Sequence, residues 1–196
     1  MGERLTVCCP GPSLKGSQVP DEGPVAAINI AINKIPRCDF WICYDTPAPN
    51  GMHDLCVEAF QRMRPTVVTI PEYAKGWLAW FSQTGGLQNW QCPSIEVQAW
   101  EPLWYEVAIK CGPRYSSGLA LAWAMQRRFR KIHYLGCDMG GYTYCDPAAS
   151  SVSKKNQATW DNRWKRERAV LRSAQDALKA HGYELTGMPW DLPGPV

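Results

Sequence analysis

The chain is punctuated by short apolar runs, each cut off by proline, glycine or a lone polar residue, and this rhythm restricts what it can fold into. Leu5–Cys9 stops at Pro10-Gly11-Pro12-Ser13, Val25–Ile32 carries Asn29 within it, and Phe40–Tyr44 ends on Asp45. Thr66–Ile70 follows Pro65, Ile132–Leu135 runs into Gly136-Cys137-Asp138, and Tyr183–Thr186 follows Gly182. Apolar runs this short have the length of strands buried on both faces. Between them lie helical patterns: residues 52–63, the stretch LALAWAMQRRF after Ser116-Ser117-Gly118, and Ala158–Ala180. In the last, Trp160, Trp164, Leu171, Ala174 and Leu178 share a face, and Gly182 stands where a C-cap belongs. Strands alternating with helices predict an α/β layered fold with a mostly parallel sheet flanked by helices.

At 196 residues the chain has the size of one domain, 1–196. Residues 74–113 hold five of the ten tryptophans and are broken by Gly85-Gly86, Pro93 and Pro102. They read as an irregular, aromatic-rich insertion with one short strand near Val97. Residues 139–157 read as loop. No apolar stretch approaches the roughly 20 residues of a membrane-spanning helix, so no membrane partner is expected. The start, Met-Gly-Glu-Arg-Leu-Thr, lacks the layout of a signal peptide, and the expected location is the cytoplasm. Nine cysteines without a Cys-x-x-Cys spacing, several inside apolar runs, read as reduced, buried thiols rather than a disulfide or zinc framework. No metal ligands are expected.

Charge is unevenly spread. Residues 1–113 carry 8 Lys/Arg against 11 Asp/Glu, or −3, whereas residues 114–181 carry 13 against 5, or +8. A basic C-terminal half suits an anionic partner, a nucleotide or a nucleic acid.

In parallel sheets ligands bind beyond the carboxyl ends of the strands. That rule singles out Gly11, Ser13, Asn29, Asp45 and Asp138, all at or near expected strand ends. Gly11 permits close backbone approach, and Ser13 is placed to cap a short helix. Ser116 or Ser117 is placed to cap the helix that opens with Gly118, where hydroxyls and free N–H groups suit phosphate or ribose. Asn29, polar inside an apolar run, must find a partner. Asp138 suits ribose hydroxyls or base catalysis.

CPGPSLK, a strand ending in a lone Asn (AAIN), and SSGLALAWAMQRRFRKIHYLGCD together resemble the bacterial sialyltransferases that use CMP-sialic acid. The framework is similar to pterin pyrophosphokinase-like proteins and to phage proteins of that superfamily. The resemblance covers roughly residues 5–45 and 114–146. It implies a Rossmann-like nucleotide site. Gly11 and Ser13 would lie near phosphate, Asn29 near the nucleotide or transferred group, and Ser116, Ser117 and Gly118 at phosphate or ribose. Two positions depart from the family: Pro10 stands where it has Asn, and residues 139–180 contain no histidine to act as its base. Catalysis would then fall to Asp138, Asp146, Asp45 or Asp161, with Tyr142 and Tyr144 on the departing phosphate and Arg114, Lys154 or Lys155 neutralising it.

The expected function is nucleotide-dependent transfer, foremost of a sugar from a nucleotide-sugar donor to an acceptor hydroxyl, on a small molecule or a modified DNA base. No covalently bound cofactor is expected, and Mg²⁺ is left open. The competing readings are ATP-dependent pyrophosphoryl or phosphoryl transfer, and a non-catalytic nucleotide- or DNA-binding phage protein, which would work in the host cytoplasm.

Overall fold

The structure is a computed structural model that describes residues 4–47, 51–83, 95–97, 115–139, 144–152 and 157–191. Seven strands form one sheet: β1 (Arg4–Cys8), β2 (Val25–Ile28), β3 (Phe40–Ile42), β4 (Thr66–Thr69), β5 (Ile95–Val97), β6 (Lys131–Leu135) and β7 (Glu184–Thr186). Every neighbouring pair is parallel, in the order β5-β4-β3-β2-β1-β6-β7. This is the α/β, Rossmann-like architecture expected from the alternation of runs.

Side chains along each strand alternate between the two faces, and both faces are covered. Leu5, Val7, Ala26, Ile28, Ile42 and Val68 join one buried cluster, with α3 (Ser116–Gln126) and α5 (Gln157–Ala180). Cys8, Val25, Ala27, Trp41 and Val67 join the other. There they meet α1 (Val57–Met63), α2 (Ala74–Gln83), α4 (Pro147–Val152) and the 3-10 turns Pro12–Gly16 and Asn29–Lys34. Burial on both faces is why β2, β3 and β4 are mostly apolar. The same reason makes α3 apolar around its circumference, since Ser116 through Ala124 are all buried.

Three differences from the sequence reading have physical causes. The run Val25–Ile32 is a strand only to Ile28, because Asn29 takes a left-handed φ of 47° and turns the chain into a 3-10 segment. The aromatic-rich stretch begins as helix α2, whose Trp77, Trp80 and Phe81 pack on Trp41 and Phe60. β5 lies where a strand was expected, and the rest of 84–113 falls outside the described residues. The segment read as loop contains α4, its first turn capped by Asp146. Seven described cysteines are free and buried, as small apolar fillers. Among the described residues no helix is long and apolar enough to cross a membrane.

The strand order matters most for the site. From β1 the chain steps outward through β2 to β5, then returns to lay β6 against the opposite side of β1. The turn after β1 sends Leu14 into one layer, whereas the long helix α5 after β6 packs in the other. Beyond the carboxyl ends of β1 and β6 the chain therefore parts, and a crevice opens at the switch point.

Candidate functional site

A cleft of about 770 Å³, open solvent at its mouth included, occupies this crevice. Its floor comes from the ends of β1 and β6, one wall from Asn29 and the first turn of α3, and the other from α5 and Tyr144.

The floor depends on two glycines. Gly11 donates its N–H to the Gly136 carbonyl at 2.9 Å, and Cys9 donates to Leu135 at 2.7 Å. A Cβ on Gly11 would fall 2.3 Å from the Gly136 oxygen and 2.0 Å from Asp138 Oδ2. Gly136, at φ +66°, sits against Leu14 in the same way. The two loops thus touch backbone to backbone, and Asp138 Oδ2 locks them by accepting the Ser13 N–H at 3.0 Å. One oxygen of Asp138 is spent on holding the turn; the residue also lines the cleft.

Cys9 and Cys137 complete the floor. Burial, and then its hydrogen bond with Cys137, pushes the Cys9 thiol well above the usual thiol range. The Cys9 sulfur is thus inert surface rather than a nucleophile.

The α3 wall is polar. Tyr115, not a serine, occupies the N-cap, and its side chain caps nothing. Ser116 and Ser117 fall in the first helical turn, buried and facing the cleft. Ser116 Oγ accepts from the Tyr44 N–H at 3.1 Å and from Asn29 Nδ2 at 3.3 Å. Ser117 Oγ donates to Glu167 Oε1, and the Ser117 carbonyl accepts from Tyr134 at 3.0 Å. Among the described residues nothing pairs with the buried Oδ1 of Asn29, which sits beside that residue's strained backbone. An uncapped helix start with such neighbours suits an anion or a sugar.

The opposite wall was not anticipated. Trp160, Arg163, Trp164 and Glu167 of α5 all line the cleft. Trp160 and Trp164 stack at 5.0 Å, and Tyr144 meets Trp160 edge-on at 5.4 Å. The Arg163 guanidinium lies over Tyr115, Trp160 and Trp164 and pairs with Glu167 Oε2 at 3.4 Å. The signal was in the sequence. Positions 160, 163, 164 and 167 share one helix face, and Arg163 and Glu167 make it polar before the purely apolar Leu171, Ala174 and Leu178.

Seven residues chosen from the sequence meet here: Gly11, Asn29, Asp45, Ser116, Ser117, Asp138 and Tyr144. Asp45 is exposed at the rim. Four other described residues do not line the cleft. Ser13 is exposed and does not cap the 3-10 turn, whose N-cap is Gly11; its backbone is engaged, the N–H by Asp138 and the carbonyl by the Ser17 hydroxyl at 3.0 Å. Gly118 is buried within α3. Asp146 is used elsewhere, accepting from Asn33 Nδ2 at 3.1 Å and the Ala148 N–H at 3.1 Å, with Lys34 at 3.6 Å. Partial burial works to raise the Asp146 carboxyl, but Asn33, Ala148 and Lys34 outweigh it and hold it below the usual value. A carboxylate so satisfied is a clamp between the Asn29–Lys34 turn and α4, and a poor base. Tyr142, Arg114, Lys154 and Lys155 lie outside the described residues. Asp161 is exposed on α5 and does not line the cleft.

Among the described residues no group of three or more His, Cys, Asp or Glu is arranged to hold a metal ion. Comparison with protein-family models, with curated proteins and with solved structures finds no match.

Proposed function

We propose that the protein is a nucleotide-dependent transferase, most specifically a glycosyltransferase that moves a sugar from a nucleotide-sugar donor to an acceptor hydroxyl. The observation that carries this reading is the gathering of Gly11, Asn29, Ser116, Ser117 and Asp138 around one cleft at the switch point of the sheet. On this reading the donor's phosphate lies at the first turn of α3, where backbone N–H groups and the Ser116 hydroxyl offset its charge. The aromatic wall of Trp160, Trp164 and Tyr144 offers apolar surface to a base or sugar ring. The acceptor oxygen forms its bond to the anomeric carbon as the carbon–oxygen bond to phosphate breaks. The electron pair leaves with the nucleotide, and the acceptor proton passes to a carboxylate, Asp45 or Asp138. Tyr144 hydrogen-bonds the departing phosphate. Most of the rate would come from positioning and from stabilising the leaving group.

A polyanionic acceptor such as DNA has one observation in its favour. Lys165, Arg166, Arg168, Arg172 and Lys179 are exposed on α5, and Arg172 lies 5.8 Å from the centre of the Trp190 ring. Binding there would weaken steeply with added salt. Phosphotransfer with Mg²⁺ has no carboxylate cluster among the described residues to support it.

The test is a thermal-shift panel of CMP, UDP, GDP, ADP and their sugars, with and without Mg²⁺. A ligand at a hundredfold its Kd adds about 2.7 kcal/mol, which for a chain this size raises Tm by roughly 5–10 °C. Asp138→Ala should abolish the shift. A melting curve that no nucleotide moves would refute the transferase.

A further inference from the structure

The hydrogen-bond polarity of the two serines on α3 differs, and that difference specifies what each can bind. A serine hydroxyl has one proton and two lone pairs. Glu167 is buried, and its Oε2 accepts from Arg163 Nε at 3.4 Å. Its Oε1 takes the proton of Ser117 Oγ. Among the described residues nothing donates to Ser117 Oγ, so toward the cleft this hydroxyl offers lone pairs alone. Ser116 is the reverse: its oxygen already accepts from Tyr44 and Asn29, leaving its proton for a ligand. Phosphate oxygens at neutral pH are almost all acceptors, so phosphate matches Ser116 and is disfavoured at Ser117.

We infer that Ser117, with its proton fixed by the Arg163–Glu167 pair, is a ribose selector: it accepts a hydrogen bond from the 2′- or 3′-hydroxyl of a ribonucleotide and takes no part in holding phosphate. In a nucleoside monophosphate ribose is the one hydroxylated group joined to the phosphate, and Ser117 directly follows Ser116 along the helix. Glu167 acts through Ser117 as a positioning residue. The inference rests on the transferase reading for its nucleotide and adds that the site reads a hydroxyl of the nucleotide's own sugar.

The experiment measures affinities of the wild-type chain for CMP, UMP, GMP and AMP, each beside its 2′-deoxy and 3′-deoxy forms. For the nucleotide bound tightest, one deoxy form should bind roughly 3- to 10-fold more weakly, the worth of a single neutral hydrogen bond. Ser117→Ala should bring that ratio to about one. Glu167→Gln should also collapse the ratio, because an amide can donate to Ser117 and free its proton. A merely structural Glu167 would weaken both forms equally and leave the ratio alone, which would overturn the inference. So would a wild type that binds ribo and both deoxy forms equally, with nucleotide binding itself intact. A wild type that binds no nucleotide would overturn the transferase and the ribose selector together.

Discussion

Gly11→Ala is the sharpest probe of how the cleft is built. Gly11 has φ −70° and ψ 157°, which alanine adopts freely, so any penalty is steric rather than conformational. The added Cβ would sit 2.0 Å from Asp138 Oδ2 and 2.3 Å from the Gly136 oxygen. Asp138 can swing aside, but then the Ser13 N–H loses its charged acceptor, at about 1.5 kcal/mol for a partly exposed pair. The Gly136 oxygen belongs to the backbone beyond β6 and moves only if the ends of β1 and β6 part, breaking the 2.9 Å bond from Gly11 for about 1 kcal/mol. Overpacking adds about 1–3 kcal/mol, and the stiffer unfolded chain returns about 0.4–1. The net loss is about 4 kcal/mol, or a fall in Tm of roughly 8–16 °C. Urea denaturation of this variant beside Gly16→Ala measures it, because a Cβ on Gly16 has nothing within 4 Å. Gly16→Ala should stay within about 1 kcal/mol of wild type. If both variants melt alike, the close approach of the two loops is not what shapes the floor.

His53 and Asp146 make opposite tests of acid sensitivity. His53 is buried against Trp77 and Trp41, and desolvation lowers its pKa from 6.5 to about 4. Because the unfolded chain takes the proton first, this stabilisation is complete above about pH 6.5 and fades as pH falls toward 4, by about 3 kcal/mol. Denaturation curves for wild type and His53→Phe at pH 7 and pH 4.5 should show the wild type losing markedly more stability, and equal losses would contradict the burial. Asp146, with its folded pKa depressed, stabilises above the ordinary carboxylate range and loses that contribution as pH falls below it. Asp146→Ala should cost about 1–2 kcal/mol at pH 7, the worth of a lost helix cap, and the gap to wild type should close in strong acid. If a nucleotide binds, its affinity should be little changed by this variant, since Asp146 lies outside the cleft lining.

Strand positions were legible because a strand buried on both faces must be apolar along its whole length, and the breakers at Pro10-Gly11, Asp45 and Gly136-Cys137-Asp138 mark where it stops. Asn29 was legible as an anomaly, a polar group inside an apolar run. Its consequence, a left-handed residue that ends the strand, was not. Asp146 misled for a related reason. A carboxylate in a loop looks the same in sequence whether it serves a substrate or caps a helix, and only the positions of Asn33, Lys34 and Ala148 distinguish the two. The α5 wall was missed because Trp160 and Trp164 fit a core-facing stripe, and periodicity reports which residues share a face without reporting what the face meets.

The local order of runs and breakers was thus enough to determine the layered α/β fold and to nominate strand ends as the place for chemistry, since burial and chain stiffness act over a few residues. Which strand ends come together was decided by the tertiary structure alone. The return of β6 to the side of β1 joins residues more than 120 positions apart, as in the Ser13–Asp138 bond. It also carries α5 across the cleft to place Glu167 on Ser117. Such pairings depend on strand order, a long-range property set by how all the layers pack at once and written in no single segment.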